Sequence, residues 1–136
     1  AQRLEGIVEV TQLIADGETV HGLTAVHTPG HAEGHLCFEL GAATIAGDMV
    51  AGIGTILIDP SEGDMTLYLE SLERLLARPA TTLLPAHGPS IPDGPAKLRE
   101  YLAHRRMREA RVLAAHKFSV KTVKPLPLFY KVLKRR

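Results

Sequence analysis

The chain of 136 residues carries one cysteine, Cys37, so it has no internal disulfide, which argues against a stapled secreted scaffold. It has no apolar run near the roughly 20 residues that a membrane span needs. It also lacks an initiator Met and the basic head and apolar core of a signal peptide. A cytoplasmic location without a membrane span is therefore expected, and Ala1 is expected to lie inside a longer natural protein. No internal repeat or low-complexity tract is visible. Neither G-x-G-x-x-G nor a P-loop occurs, so the glycines match no phosphate-cradling pattern. Basic residues are scarce through most of the chain: residues 1–96 hold three Lys/Arg against thirteen Asp/Glu.

What is present begins with a core. Hydrophobic residues make up 45% and charged residues 23%, enough apolar content to fold one domain of ordinary size. The formal net charge of +1 conceals an acidic body and a basic arm, because residues 97–136 hold thirteen Lys/Arg against two Asp/Glu. Such an arm leaves open nucleic acid, an acidic membrane surface or the body itself as its partner.

Short β-branched-rich runs at Ile7–Val10 and Leu23–His27 predict strands, with Asp16-Gly17 as a turn between them. Leu36–Leu40 and Ala43–Ala46 flank Gly41 and predict a hairpin. Ile56–Ile58 is a further apolar run, stopped by Pro60. Ser61 with Asp64 resembles a capped helix start, and Leu67, Leu69, Leu72, Leu75 and Leu76 form most of a helical stripe ended by Pro79. Thr81–Leu84 is a strand candidate. Asp93 followed by Pro95 opens a second helix, expected to run to about His116 and to bury Leu98, Tyr101, Leu102, Val112 and Leu113. The pattern degrades from Lys117. The order predicts a mixed α/β (α+β) fold, divided into residues 1–92, a basic helix over 93–116 and a basic tail over 117–136.

Three segments repeat one design: an apolar β run, a Gly or Pro, then a side chain able to bind metal. They are Thr24-Ala-Val-His-Thr-Pro-Gly-His31, Thr44-Ile-Ala-Gly-Asp48 and Thr81-Thr-Leu-Leu-Pro-Ala-His87-Gly-Pro89. Side chains at several strand ends can converge on one site. Two imidazoles and a carboxylate would suit Zn²⁺. Each of His31, Asp48 and His87 taken alone reads first as a turn, surface or satisfied core residue, and it is the repeated pattern that points to a ligand set. Cys37 inside its predicted strand reads as a packing residue rather than a nucleophile. Asp59 and Asp64 read as turn and cap residues. His21 and His27 read as surface or strand-end residues, and His104 and His116 have no visible partner.

Thr28-Pro-Gly-His-Ala-Glu-Gly-His35, Ala46-Gly-Asp-Met49 and Leu84-Pro-Ala-His-Gly-Pro89 resemble the third, fourth and fifth motifs of the metallo-β-lactamase superfamily. Gly54-Thr55, Tyr68, Ser71-Leu72 and Tyr101-Leu-Ala-His-Arg105 resemble its branch containing β-lactamase-like protein 2 and glyoxalase II. The resemblance covers about residues 12–115. It implies half of an αββα sandwich, with a mixed or antiparallel sheet and two main helices. It also implies that His31 ligates a first zinc ion, that Asp48 bridges two, and that His87 ligates the second. His35 and Thr28 are implied to support the site or the substrate.

The superfamily's His-x-His-x-Asp-His signature is absent: no two histidines here are separated by a single residue. The chain therefore resembles the C-terminal half of a metallo-hydrolase, and no residue in it is assigned a catalytic role. Two protein ligands per ion make for weak or absent metal binding by this chain alone. The sheet face that would meet the missing half is expected to be exposed and to favour a homodimer. The implied reaction is zinc-assisted hydrolysis of a small-molecule ester or thioester, or of an RNA phosphodiester. The alternative is an inactive half-domain serving as an oligomeric or nucleic-acid-binding module.

Overall fold

The computed structural model describes residues 12–119, with side chains through residue 116. The chain divides into two units, Ala1–Tyr101 and Leu102–Arg136. The first unit contains strands β1 (Thr19–Val20), β2 (Leu23–His27), β3 (Leu36–Leu40), β4 (Ala43–Gly47) and β5 (Thr82–Pro85), and helix α1 (Met65–Leu76). Helix α2 (Gly94–Ser119) begins in it and continues into the second unit. Ile7–Val10 and the tail beyond Ser119 lie outside the described residues. The result is a five-stranded mixed sheet with two helices, the α+β class expected for part of a metallo-β-lactamase sandwich.

The strands lie in chain order, antiparallel from β1 to β4, and β5 runs parallel to β4. A parallel neighbour demands a crossover, and α1 lies within it. Strand register decides which face holds the core. Val26 pairs with Cys37 and Thr44 with Leu83, and all four are buried on one face together with Ala46. The other face carries the row Ala25, Phe38, Ile45 and Leu84, in which Ile45 and Leu84 are each 37% exposed. Alternation at period two puts apolar residues on both faces.

Several elements differ from the sequence expectation. The two-residue strand β1 forms where only a turn was foreseen, extending the Asp16-Gly17 connection onto β2. Ile56–Ile58 forms no strand. Asp64, not Ser61, caps α1: its carboxylate accepts from the Thr66 and Leu67 amides at 2.7 and 3.1 Å. Ser61 instead donates to Asp59 through both its amide and its hydroxyl. The helix buries Tyr68, Ser71, Leu72 and Leu75, a stripe at helical spacing, while Leu67 faces out. Polar Ser71 belongs to this stripe because it has a carbonyl to satisfy, as described below. The last strand starts at Thr82 rather than Thr81, whose amide bonds the Ala42 carbonyl.

Asp93 accepts from the Ala96 amide at 2.9 Å and opens α2, which ends at Ser119, beyond His116. Leu98, Tyr101 and Leu102 are buried as expected. Val112 and Leu113 are not, being 52% and 42% exposed.

Candidate metal centre

Strands β2, β4 and β5 point the same way, because β3 reverses between the first two and β5 is parallel to β4. Their C-terminal ends therefore share one sheet edge, as does the residue before β3. This places Thr28 to His31 after β2, His35 before β3, Asp48 after β4 and His87 after β5 in neighbouring loops.

One carboxylate lies between two imidazoles. Asp48 Oδ2 is 3.8 Å from His31 Nε2, and Asp48 Oδ1 is 3.3 Å from His87 Nε2. Ligands held about 2.1 Å from one tetrahedral ion stand about 3.4 Å apart, so both separations suit a shared cation. Asp48 Oδ1 is buried without a hydrogen-bond partner. A buried carboxylate oxygen that makes no hydrogen bond is costly, and a cation between it and the His87 imidazole would relieve that cost. His31 Nδ1 lies 3.0 Å from the Leu57 carbonyl, which can only accept, so Nδ1 carries the proton. Nε2 is then the ring nitrogen that faces Asp48. The arrangement is two pairs sharing Asp48. Among the described residues, no group of three His, Cys, Asp or Glu side chains converges as a three-ligand cluster.

His35 is engaged on both ring nitrogens. The Asp48 amide donates to His35 Nε2 at 3.2 Å, so Nδ1 carries the proton and donates to Thr28 Oγ1 at 2.8 Å. Thr28 is fully buried, and its hydroxyl is 3.3 Å from Cys37 Sγ. Burial first, and the nearby His31 second, push the His35 imidazole below its ordinary pKa, while Asp48 pulls the other way. The ring also fixes the backbone above it. Gly47 has φ +51°, and a Cβ there would sit 2.7 Å from His35 Nε2. Cys37 is buried, and desolvation raises its thiol pKa to about 11, as a packing residue requires.

The remaining histidines make other contacts or are exposed. His27 closes its own loop, its Nε2 donating to the Glu33 carbonyl at 2.9 Å. His21 occupies a turn at φ +51°, and His104 is exposed on α2. His87 is the most open member of the site, with its side chain 71% exposed.

Supporting groups were not identified as such from sequence. The Tyr68 hydroxyl donates to the Met49 carbonyl at 2.7 Å, Ser71 Oγ to Pro29 at 2.7 Å, and Arg74 Nη1 to His27 at 2.9 Å. Tyr101 Oη accepts from the Ala51 amide at 3.0 Å and donates to the Gly54 carbonyl at 3.2 Å. Polar residues interrupting the leucine-rich stripe of α1 were the available signal. Their acceptors, 19 to 47 residues away in the chain, were not readable.

The model of the metallo-beta-lactamase superfamily matches residues 2–87. The chain belongs to this superfamily. It is 42% identical over 110 residues to the lactamase-like protein adaB of Aspergillus niger, covering 76% of this chain and 33% of that protein. It is 38% identical over 110 residues to an atrochrysone carboxyl ACP thioesterase of Claviceps purpurea, covering 76% and 34%. The chain thus spans about a third of the length of these curated relatives. Among solved superfamily structures, TTHA1429 of Thermus thermophilus superposes with a TM-score of 0.68 at 29% identity, over 75% of this chain and 37% of that one. TTHA1623, solved in a di-iron-bound form, superposes with a TM-score of 0.58 at 30% identity, over 65% and 46%.

Proposed function

We propose that this chain supplies the His31, Asp48 and His87 part of a zinc-dependent hydrolase centre whose substrate is a thioester. The observation that carries the reading is the Asp48 carboxylate, with one oxygen toward each imidazole and Oδ1 buried without a hydrogen bond. The thioester is favoured over an ester or RNA because relatives of this chain are described as acyl-carrier-protein thioesterases. Bound zinc supplies Lewis acidity, making hydroxide available near pH 7 and polarising the carbonyl under attack. The chain's own residues prepare for this. Leu57 holds the His31 proton on Nδ1, so Nε2 stays free to ligate. His35 and Thr28 support the site from beneath by holding the Asp48 amide.

The test is zinc uptake by equilibrium dialysis on this chain beside its Asp48→Asn and His31→Ala variants. Weak uptake by the wild type that falls in both variants supports the reading. Uptake that is equal in all three overturns metal binding at this site, and no uptake by any of them overturns binding by this chain alone.

A second reading, a homodimer formed through the sheet, is favoured by the apolar row Phe38, Ile45 and Leu84. Sedimentation equilibrium on wild type and Ile45→Glu decides it: a dimer lost in the variant supports this reading, and a monomeric wild type removes it.

A further inference from the structure

We propose that Tyr68 is a positioning residue that sets the spacing between His31 and Asp48. It is the point on α1 where the two loops meet. On one side, a Cβ on Gly30, the residue before His31, would lie 2.2 Å from the Tyr68 amide nitrogen and 2.6 Å from its Cβ. Gly30 also holds φ +129°, so this close approach is open to glycine. On the other side, the buried Tyr68 hydroxyl donates to the carbonyl of Met49, the residue after Asp48. The backbone of Tyr68 thus abuts the His31 loop while its side chain holds the Asp48 loop.

The rest of the helix secures the first of these loops. The Asp64 amide donates to the Gly30 carbonyl at 2.8 Å, Ser71 to Pro29 and Arg74 to His27. Residues 68, 71 and 74 fall on one helical face, so the His31 loop cannot shift along α1 without breaking several bonds. The Asp48 loop is linked to α1 by the buried hydrogen bond from the Tyr68 hydroxyl. With the Asp48 amide held by His35 on the sheet side, the Tyr68 hydroxyl is the bond that ties the carboxylate's loop to the helix carrying the His31 loop. The inference takes from the proposed function the reading of His31 and Asp48 as a pair.

The test compares Tyr68→Phe with Leu72→Ala by amide exchange and NMR, without metal. Leu72 is fully buried on the same helix and serves as a control for general loss of stability. In Tyr68→Phe the Asp48 and Met49 amides are expected to exchange roughly tenfold faster, the effect of one lost hydrogen bond whose buried acceptor is left unpaired. Amides of β2 and β3 are expected to change only by the global amount, and the His31 ring resonances to shift. In Leu72→Ala all amides are expected to change together, with the His31 ring unmoved. The proposal is overturned if the two variants give the same pattern, or if the Asp48 loop loosens and the His31 ring does not respond. Zinc plays no part in these readouts, so they test the spacing of the pair separately from the uptake experiment, which tests what the pair binds.

Discussion

Replacing Gly47 with alanine tests whether His35 and the backbone of β4 form one unit. Gly47 sits at φ +51°, where a Cβ costs about 1 kcal/mol. That Cβ would also lie 2.7 Å from His35 Nε2, inside contact distance. The ring is pinned by Thr28 on one nitrogen and the Asp48 amide on the other, so it has no free rotation with which to yield. If it moves, the Asp48 amide loses its acceptor, at about 1–3 kcal/mol. Gly47→Ala should therefore cost about 2–4 kcal/mol. His35→Ala, which removes the same acceptor and a half-buried ring, should cost about 2–3 kcal/mol.

The double variant separates this account from a simple sum. With the ring gone, the new Cβ meets nothing, and only the left-handed backbone penalty remains. The pair should then cost about 3–4 kcal/mol instead of the additive total of about 4–7 kcal/mol. Urea unfolding of the four proteins, compared at constant m value, measures this directly. Additive costs would refute the reasoning, as would a Gly47→Ala protein as stable as the wild type.

Other consequences follow from single contacts. Asp64→Ala removes both cap bonds of α1 and should lower stability by about 1 kcal/mol in thermal unfolding, with Asp64→Ser recovering most of it. The Arg78 guanidinium, bonded to both oxygens of Glu39, holds that carboxyl below the usual range. The stability this contributes is complete above the unfolded carboxylate pKa and is lost as pH falls through the lower folded value. Glu39→Gln should therefore reduce stability near neutrality and lose less than the wild type between about pH 7 and about pH 3, as followed by urea unfolding. Cys37, with its thiol pushed up to about 11, should resist a thiol reagent in the native protein and label only at the rate of unfolding. Native labelling as fast as that of the unfolded chain would contradict the buried placement.

Local signals in the chain determined much of the frame. Leu23–His27 and Leu36–Leu40 are apolar runs bounded by turn residues, and both form strands with those bounds. Asp93 and Pro95 start α2 because capping and a fixed proline φ are properties of a few adjacent residues. The placement of His31, Asp48 and His87 at strand ends was legible for the same reason. Tertiary structure decided what lies against each segment. Leu67 and Leu72 have the same propensity, yet Leu72 is buried and Leu67 is not, because α1 turns Tyr68 and Ser71 toward carbonyls of distant loops. Val112 and Leu113 have the right spacing for a buried face, but burial depends on a partner surface, which spacing does not encode. The position of the Asp48 carboxylate depends on strand order, on the His35 ring beneath its amide and on the Tyr68 hydroxyl beside it. Those are contacts between residues far apart in sequence, which become specific only when the sheet sets their register.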